Sequence, residues 1–320
     1  MNVVALAGGI GAGKFLRGLV RAVPPRDVTV VVNTADDIEL HGLHVSPDLD
    51  SVTYWLGTVM DRERGWGRRA ETFRATEELR LFGADGSWFG LGDLDLATHL
   101  FRTGLLRSGA TLSEATARVA ARFGLASRIL PMSDDPVTTR IEAVSMGRPR
   151  DLHFQEYWVR RHAADEVKAV RYEGAAEARP APGVLEAVAG ADAVVFPPSN
   201  PVASIGPILA VPGIRDAVAA RRNRAVGVSG IVGGAPLAGM ADRLLPVAGV
   251  EVSAAGVAGL YRDLLSGWVI DDADERLRDR IASLGLRVAV TDTVMTGDTA
   301  AEHVARTALS LLGTPEARVS

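Results

Sequence analysis

The sequence contains no cysteine, and only two of its 320 residues are lysines, Lys14 and Lys168. The absence of cysteine excludes disulfide bonds, cysteine-ligated zinc sites and thiolate catalysis. Arginine supplies every other strong base, a bias that is typical of GC-rich coding sequences. One of the two lysines nevertheless lies inside a glycine-rich segment near the N-terminus.

Long hydrophobic runs and a strong excess of charge are also missing. No apolar segment approaches the roughly 20 residues of a membrane-spanning helix, and the first residues, MNVVALAGG, lack the basic and apolar regions of a signal peptide. With 35 Lys and Arg against 39 Asp and Glu, the net charge of −4 provides no general attraction to nucleic acid or anionic lipid. We therefore expect a soluble cytoplasmic protein that binds neither nucleic acid nor membranes.

The hydrophobic pattern predicts an α/β fold. The strand NVVALA, a glycine-rich turn, the helix FLRGLVRAV and the strand VTVVVN form a βαβ unit, which requires a right-handed crossover between parallel strands. From Pro182 onward, helical patterns again alternate with strands, which include AVVFPPSN, AVGVSGIVGG and RVAVTD. We predict a doubly wound, mostly parallel, Rossmann-like sheet.

A run of predicted helices interrupts this alternation. Four helical segments lie between residues 51 and 124: SVTYWLGTVM, AETFRATEELRLF, LATHLFRTGLL and LSEATARVAARF. The last is preceded by Thr111, which forms a predicted capping box with Glu114. We divide the chain into a nucleotide-binding core, residues 1–50 and 125–320, and a helical insertion, residues 51–124, that shapes an acceptor pocket. After the insertion we predict strands in PVTTRIEAV, LHFQEYWV and EVKAVRYEG.

The segment LAGGIGAGKFLRGL is the strongest candidate for a phosphate-binding loop. It joins a predicted strand to a helix, so its backbone N–H groups and the helix N-terminus could bind a diphosphate. A P-loop needs Ser or Thr where Phe15 stands, and a dinucleotide fingerprint needs a third glycine where Lys14 stands. The alternative is a tight turn without a ligand. The candidate phosphate-binding residues are Gly8, Gly9, Gly11, Gly13 and Lys14.

The segment after the second strand, TADDIELHGLHVSPDLDS, is rich in carboxylates, namely Asp36, Asp37, Glu39, Asp48 and Asp50. Neighbouring carboxylates repel one another unless a cation or hydrogen-bond donors relieve them, and oxygen ligands beside a phosphate loop favour Mg²⁺. Alternatively, Asp50 or Ser51 only caps the following helix. His41 and His44 have no third zinc ligand nearby in the sequence, so we expect ordinary histidines.

Two later segments carry further candidates. In GSWFGLGDLDLATH, Trp88 and Phe89 could stack on a planar ligand, and Asp93 or Asp95 could bind its polar edge. Alternatively, Asp95 is an N-cap and the aromatic residues are part of the core. In FPPSNPVASIG, Ser199 and Asn200 lie between prolines at the end of a predicted strand. Such a rigid loop is a suitable place to bind a nucleotide base.

Together these motifs resemble the 2-phospho-L-lactate transferases, enzymes of coenzyme F420 biosynthesis. The resemblance extends from about Val3 to Asp242 and includes AGGIGAGKFLRGL, VNTADD, HGLHVSPDLDSVTYWL, WFGLGDLDLATHL and PPSNPVASIGPILAVPGIR. It implies a Mg²⁺-dependent transferase that moves a phospholactyl or phosphoenolpyruvyl group from a guanosine diphosphate ester to the ribityl hydroxyl of the deazaflavin Fo, with release of GMP. A homodimer is expected from the resemblance alone.

The resemblance also implies roles for particular residues. The glycine loop, Ser199 and Asn200 would hold the guanosine diphosphate donor. Asp50 would bind the acceptor, and a Mg²⁺ ion between Asp37 and Asp50 could polarise the diphosphate. A neighbouring carboxylate could accept the hydroxyl proton. The deazaflavin would be lined by the segment that contains Trp88, Gly92, Asp93 and Leu94.

Three departures and two alternatives accompany this interpretation. Gly230 stands where the family often has proline, and Ala235 stands where it often has lysine. Leu94 stands where the family often has Arg or Lys, and Arg68 or Arg102 could replace that charge. A related group of nucleotide-sugar-binding regulators, of the gluconeogenesis-factor type, would bind a nucleotide without turnover. A P-loop kinase or NTPase would need the hydroxyl that is missing at Phe15. The strings SPDLD, GWG and HFQEYWV favour the transferase, and the sequence leaves open whether the donor acid is lactate, enolpyruvate or glycerate.

Overall fold

Strands and helices alternate along residues 1–313, which the computed structural model describes. The strands are β1 (Val3–Ala7), β2 (Val28–Val32), β3 (Ile38–Leu40), β4 (Leu43–Val45), β5 (Arg128–Pro131), β6 (Thr138–Ser145), β7 (Arg148–His153), β8 (Glu166–Glu173), β9 (Ala193–Phe196), β10 (Ala225–Val228), β11 (Ile231–Val232), β12 (Ala235–Pro236), β13 (Gly267–Ile270) and β14 (Arg287–Val290). The α-helices are α1 (Gly9–Ala22), α2 (Pro47–Leu56), α3 (Arg74–Leu81), α4 (Asp93–Arg107), α5 (Leu112–Arg122), α6 (Val184–Gly190), α7 (Gly206–Ala210), α8 (Ile214–Ala219), α9 (Ala241–Leu244), α10 (Ala254–Tyr261), α11 (Arg278–Ala282) and α12 (Asp298–Ser310).

Seven strands form a parallel central sheet in the order β14-β13-β10-β9-β1-β2-β5. From β1 the chain moves outward through β2 to β5, and from β9 it moves in the opposite direction to β14. The strand order therefore reverses between β1 and β9, and in such sheets ligands bind beyond the carboxyl ends of the strands at this point. The predicted doubly wound, Rossmann-like sheet is confirmed.

Helices cover both faces of this sheet. Val3, Ala5 and Ala7 of β1 pack in one apolar cluster with residues of α1, α2, α5 and α12. Val4 and Leu6 belong to the cluster on the opposite face, which includes residues of α6, α8 and α10. Burial on both faces explains why the strands read as continuous apolar runs rather than as alternating patterns. No helix among residues 1–313 combines the length and the apolar character that crossing a bilayer requires.

The segment 51–124, predicted as a helical insertion, connects β2 to β5. Its predicted capping box is present, because Thr111 Oγ1 accepts from the Glu114 N–H and the Glu114 carboxylate accepts from the Thr111 N–H. The division at residue 51 falls inside α2, which packs on the sheet together with α5.

A hairpin of β3 and β4 precedes this segment, and its two-residue turn places His41 and Gly42 at φ values of 54° and 71°. Such a turn needs positive φ at both positions. Asn or Asp usually occupies the first of them, so the histidine there makes the hairpin hard to recognise in the sequence.

A second sheet of antiparallel strands, in the order β7-β6-β8, joins β5 to the second half of the core. The prediction of a strand through LHFQEYWV is wrong in its second half, because β7 ends at His153 and a π-helical turn follows over Glu156–Arg160. Phe154, Gln155 and Tyr157 are all buried. A strand alternates its side chains between two faces and cannot bury all three on one side.

Helix α1 lies directly against α12, and Gly18 makes this close approach possible. A Cβ atom at position 18 would overlap the backbone of Ala301. Backbone atoms cannot rotate away as a side chain can. The two helices would therefore have to separate to accept any larger residue.

We expect Gly18→Ala to lower the free energy of unfolding by about 1–3 kcal/mol, the usual cost of overpacking a core. Gly104→Ala is a matched control, because Gly104 also lies inside a helix but has open space around it. That control should raise stability by roughly 0.5–1 kcal/mol, through helix propensity alone. Urea denaturation of both variants checks the pair, and equal effects would contradict the packing argument.

Candidate active site

A cavity of about 840 Å³ opens at the carboxyl ends of β1 and β9. Its wall is built from the glycine loop, the loop after β2, helix α2, the start of α4 and the loop after β9. These segments come from distant parts of the chain and meet at the point where the strand order reverses. The volume lies within the range of cofactor and substrate pockets.

The glycine loop begins directly after β1 and opens α1. A Cβ at Gly8 would overlap the carboxylate of Asp48, and a Cβ at Gly11 would overlap the carbonyl of Pro198. Gly9 has a φ of 76°, in the left-handed region, and its N–H donates to Asp48 Oδ1 over 2.7 Å. These glycines therefore let the N-terminus of a 14-residue helix lie against the start of α2 and the loop after β9. A helix N-terminus so exposed to a cavity favours an anion.

The loop after β9 forms the opposite wall. Asn200 Oδ1 caps the following turn by accepting from the N–H groups of Val202 and Ala203, each at 3.0 Å. The side-chain NH₂ group is therefore left as the donor of this residue. The N–H of Gly8 lies 3.4 Å from Ser199 Oγ, so the two strand-end loops touch.

Six of the predicted donor-binding residues line one cavity: Gly8, Gly9, Gly11, Lys14, Ser199 and Asn200. Gly13 does not line it. A Cβ at Gly13 would overlap the indole ring of Trp55, so this glycine lets α2 pack on α1. The role of Gly13 in donor binding stays a prediction.

Two buried carboxylates, Asp36 and Asp48, form the acidic part of the wall. Asn33 Nδ2 donates to both of them, at 3.1 Å to Asp36 Oδ1 and 2.9 Å to Asp48 Oδ2. Burial raises the pKa of Asp48 to about 6. The pKa of Asp36 is raised well above its usual range by burial and by the charge of Asp48, although Gln155 Nε2 donates to Asp36 Oδ2. Gln155 was absent from the predicted site because its segment reads as a strand.

Asp37 lies behind this wall. Its Oδ2 accepts from Ser46 Oγ at 2.7 Å and lies 3.0 Å from His44 Nε2, while its Oδ1 is buried without a hydrogen-bond partner. Burial raises the pKa of Asp37, and the hydrogen bonds with His44 and Ser46 and the charge of Arg102 partly offset this.

Asp50 lines the cavity and forms a buried ion pair with Arg102. Both carboxylate oxygens accept from the guanidinium group, one of them from Nη1 at 3.1 Å. His99 Nδ1 lies 3.6 Å from Asp50 Oδ2, and burial lowers the pKa of His99 to about 4, so this imidazole is neutral at pH 7. Asp37 and Asp50 are the predicted catalytic and metal-binding pair. The guanidinium group of Arg102 interacts electrostatically with both carboxylates.

The remaining residues predicted to bind the acceptor do not line the cavity. Trp88 packs against Phe89 and a small apolar cluster that includes Leu40, Val45 and Leu91. The carbonyl of Leu94 accepts from Arg68 Nη1 at 3.3 Å. The acceptor-binding roles of Trp88, Gly92, Asp93 and Leu94 stay predictions, while the neighbours that line the cavity are Phe89, Gly90, Leu91 and Asp95.

Asp93 and Glu71 cap two helices reciprocally. The Asp93 carboxylate accepts from Thr72 Oγ1 and from the N–H of Ala75 at the start of α3. The Glu71 carboxylate accepts from the N–H groups of Leu94 and Asp95 at the start of α4. Gly92 permits this arrangement, because a Cβ there would overlap Glu71. Asp93 and Glu71 therefore hold the N-termini of α3 and α4 together.

Asp95 differs from Asp93 although it lies only two residues away. It lines the cavity with 6% of its surface exposed, and its Oδ1 is buried without a hydrogen-bond partner. Burial and the negative charge of Asp50 raise the pKa of Asp95 to about 7. This carboxyl group can therefore exchange a proton near neutral pH.

A sequence comparison identifies the protein family of this chain. The family model described as "2-phospho-L-lactate transferase CofD" matches residues 3–308. The chain belongs to this family. Members of the family are transferases, so the protein is an enzyme, and the expected resemblance is confirmed.

Several relatives match the chain over nearly its whole length. A phosphoenolpyruvate transferase from Kitasatospora aureofaciens is 51% identical over 313 residues, which cover 97% of this chain and 98% of the relative. A phosphoenolpyruvate transferase from Nocardia farcinica is 43% identical, with coverage of 98% and 95%. A 2-phospho-L-lactate transferase from Methanosarcina acetivorans is 40% identical, with coverage of 98% and 99%.

Solved structures support the fold. A Bacillus halodurans protein of the upf0052 family superposes with a TM-score of 0.60 at 18% sequence identity, over 96% of this chain and 98% of that protein. At this level of identity the similarity concerns the fold alone.

We expect Asp93 and Asp95, the two aspartates at the start of α4, to affect the pH dependence of stability in opposite directions. The pKa of Asp95 is raised in the folded protein, so the wild-type protein loses stability as pH rises from about 4 to about 7. Asp95→Asn removes this loss and should become a few kcal/mol more stable relative to wild type across that interval, at about 1.4 kcal/mol for each pKa unit.

Asp93 is the matched control. Its pKa is lowered by the hydrogen bond from Thr72, so its stabilising effect is present above its unfolded pKa and is lost as pH falls. Asp93→Asn should therefore be less stable than wild type at pH 7, with a difference that shrinks in acid. Urea titrations between about pH 4 and pH 8 measure both variants, and parallel pH profiles for the two would contradict the assignment.

Proposed function

We propose that this protein transfers a phosphoenolpyruvyl or phospholactyl group from its guanosine diphosphate ester to the ribityl hydroxyl of Fo, with release of GMP, in coenzyme F420 biosynthesis. Membership of the CofD family supports the reaction class. The higher identity to phosphoenolpyruvate transferases than to 2-phospho-L-lactate transferases favours enolpyruvate as the acid. The observation that carries the proposal is the single cavity that joins the glycine loop to an acidic wall.

The donor would bind at the end of the cavity formed by the glycine loop. The N-terminus of α1 and the half-buried Lys14 would neutralise the diphosphate. The loop after β9 would hold the guanosine, with the side-chain amide of Asn200 as a hydrogen-bond donor. The cap formed by Asn200 Oδ1 keeps this amide rigid, which limits the entropy lost on binding.

The acceptor would bind towards the start of α4. There the wall contains Trp66, Phe89, Gly90 and Leu91, which offer aromatic and apolar surface to a planar ring. Asp50 lies at the junction between this region and the glycine loop. Transfer between two bound substrates needs mainly positioning and stabilisation of charge, so a direct displacement accounts for the reaction without a covalent enzyme intermediate.

The oxygen donors of the site fit Mg²⁺. Asp37 and Asp50 remain the proposed ligands: Asp50 lines the cavity, and Asp37, behind its wall, has a buried Oδ1 without a hydrogen-bond partner among residues 1–313. Within residues 1–313 no group of three or more His, Cys, Asp and Glu side chains is placed to hold a metal. Mg²⁺ commonly takes only one or two carboxylates and completes its coordination with water and phosphate. When bound, the ion would neutralise charge on the diphosphate.

The resemblance to the family also supports a cytoplasmic homodimer. Light scattering coupled to size-exclusion chromatography tests the dimer directly, because the chain has a mass of 33.7 kDa and a dimer has twice that mass.

The reaction itself is tested by supplying Fo, Mg²⁺ and the guanylylated esters of phosphoenolpyruvate, phospholactate and phosphoglycerate in competition. We expect equal amounts of GMP and a phosphorylated deazaflavin by chromatography, formed mainly from the enolpyruvyl donor, and no product after chelation with EDTA. Nucleotide binding without GMP release would favour the regulator alternative. Consumption of ATP would favour a kinase.

The two lysines offer a matched test of donor binding. Lys14→Ala removes a charged donor from the cavity, and hydrogen bonds to charged groups are worth about 1.5–3 kcal/mol, so the Kd for GDP should rise roughly 10- to 100-fold. Lys168→Ala is the control, because Lys168 is exposed on β8 and, in the described part of the chain, pairs only with Glu166. Isothermal titration calorimetry measures both. An unchanged Kd for Lys14→Ala would remove this lysine from the donor site.

A further inference from the structure

The carboxylate of Asp95 caps neither of the two helices that meet beside it. It occupies the first turn of α4, where a carboxylate often caps the helix, yet Glu71 already accepts from the N–H groups of Leu94 and Asp95. Asp93 caps the neighbouring helix α3. Among residues 1–313 the Asp95 carboxylate has no ion-pair partner and its Oδ1 has no hydrogen-bond partner, while the Tyr54 hydroxyl group faces it. A buried carboxyl group with an unpaired oxygen costs stability, and such groups are typical of functional sites.

Asp95 and the glycine loop border the same cavity, and the loop between α2 and α3 lies between them. A Cβ at Gly65 would lie 3.4 Å from the side chain of Ile10, in the first turn of α1, and a Cβ at Gly67 would lie 3.3 Å from Asp95 Oδ2. Ile10 and Asp95 both line the cavity. A phosphate bound at the N-terminus of α1 would therefore share one cavity with the carboxylate of Asp95.

The groups that face Asp95 explain its proton affinity. Asp50 on α2 and Glu71 before α3 contribute negative charge, Arg68 contributes positive charge, and Tyr54 contributes a hydroxyl group. Burial has the largest effect and, with Asp50, raises the pKa of Asp95 to about 7. A general base is most effective when its pKa lies near the working pH.

Other groups in the cavity are less suited to accept a proton. Both oxygens of Asp50 are engaged by Arg102. His99 lines the cavity, but burial lowers its pKa to about 4, which makes it a weak base. Asp48 already accepts from Gly9 and Asn33. Asp95 is the carboxylate with a free oxygen on the acceptor side.

We infer that Asp95 is the catalytic base, which removes the proton from the acceptor hydroxyl in the transfer proposed above. This inference rests on that proposed function. The hydroxyl oxygen forms a bond to the phosphorus that carries the acid, and the bond from this phosphorus to the phosphate oxygen of GMP breaks. The electron pair of that bond leaves with GMP. The hydroxyl proton moves to the carboxylate of Asp95 and then to solvent.

The first experiment compares wild type with Asp95→Asn at saturating Fo and donor. We expect kcat to fall by a factor on the order of 10²–10⁴, the usual contribution of a general base, with the KM values and the Kd for GDP nearly unchanged. The control is Asp263→Asn, which changes an exposed aspartate after α10 that, within residues 1–313, pairs only with its neighbour Arg262; this variant should keep full activity. A near-normal kcat for Asp95→Asn overturns the inference.

The second experiment measures kcat against pH in the wild-type protein and so does not depend on any variant folding. We expect kcat to rise with pH along an acidic limb, because only the ionised carboxylate accepts a proton. A flat profile between about pH 5.5 and pH 8.5 would overturn the assignment. In Asp95→Asn this acidic limb should disappear, which a purely structural role would not produce.

Chemical rescue provides a third readout. Asp95→Ala leaves space beside the acceptor, and added formate should restore part of the lost kcat by acting as the missing carboxylate, with no effect on the Asp263→Asn control. Absence of rescue together with a lowered affinity for GDP would assign Asp95 a structural role instead. A wild-type protein that makes no product overturns the proposed function and this inference together. An active wild type with an active Asp95→Asn variant overturns the inference alone.

Discussion

The close approach of two strand-end loops at Gly8 and Gly11 is the constraint on which the site depends. Gly8 admits the carboxylate of Asp48, and Gly11 admits the carbonyl of Pro198. With any larger side chain at Gly11, the loops after β1 and β9 would have to separate, and at Gly8 the glycine loop would have to move away from α2. The cavity would then lose the contact between the helix N-terminus of α1 and the Asn200 loop. These glycines therefore serve packing first, and the same packing exposes backbone N–H groups to an anion.

The acidic wall beside these glycines is held in a costly arrangement. Asp36, Asp48 and Asp95 are buried, and the pKa of each is raised because burial disfavours the charged form. A core selected for stability alone would replace such groups with apolar residues. Their presence around one cavity is typical of a site where function has been favoured over stability. Asp50 differs from these three carboxylates because it forms an ion pair with Arg102, which neutralises its charge.

Much of the fold could be predicted because its signals are local. Apolar runs of four or five residues that end in glycine or proline predict buried parallel strands, and the capping box at Thr111 predicts where α5 begins. Other elements depended on tertiary contacts. The segment Phe154–Tyr157 is apolar enough for a strand, but it turns into a helix because Gln155 bonds to Asp36, more than a hundred residues earlier.

The sequence by itself determined the fold class, the glycine loop and the family, because each is encoded in contiguous residues whose spacing is independent of the rest of the chain. Only the tertiary structure decided which side chains face the cavity. Asp93 and Asp95 lie two residues apart with similar neighbours in sequence, yet one caps a helix and the other borders the cavity. The difference arises because Glu71 and the loop that contains Gly67 approach them from elsewhere in the chain. The burial and the neighbouring charges that set the pKa of a carboxyl group depend on these contacts between distant segments.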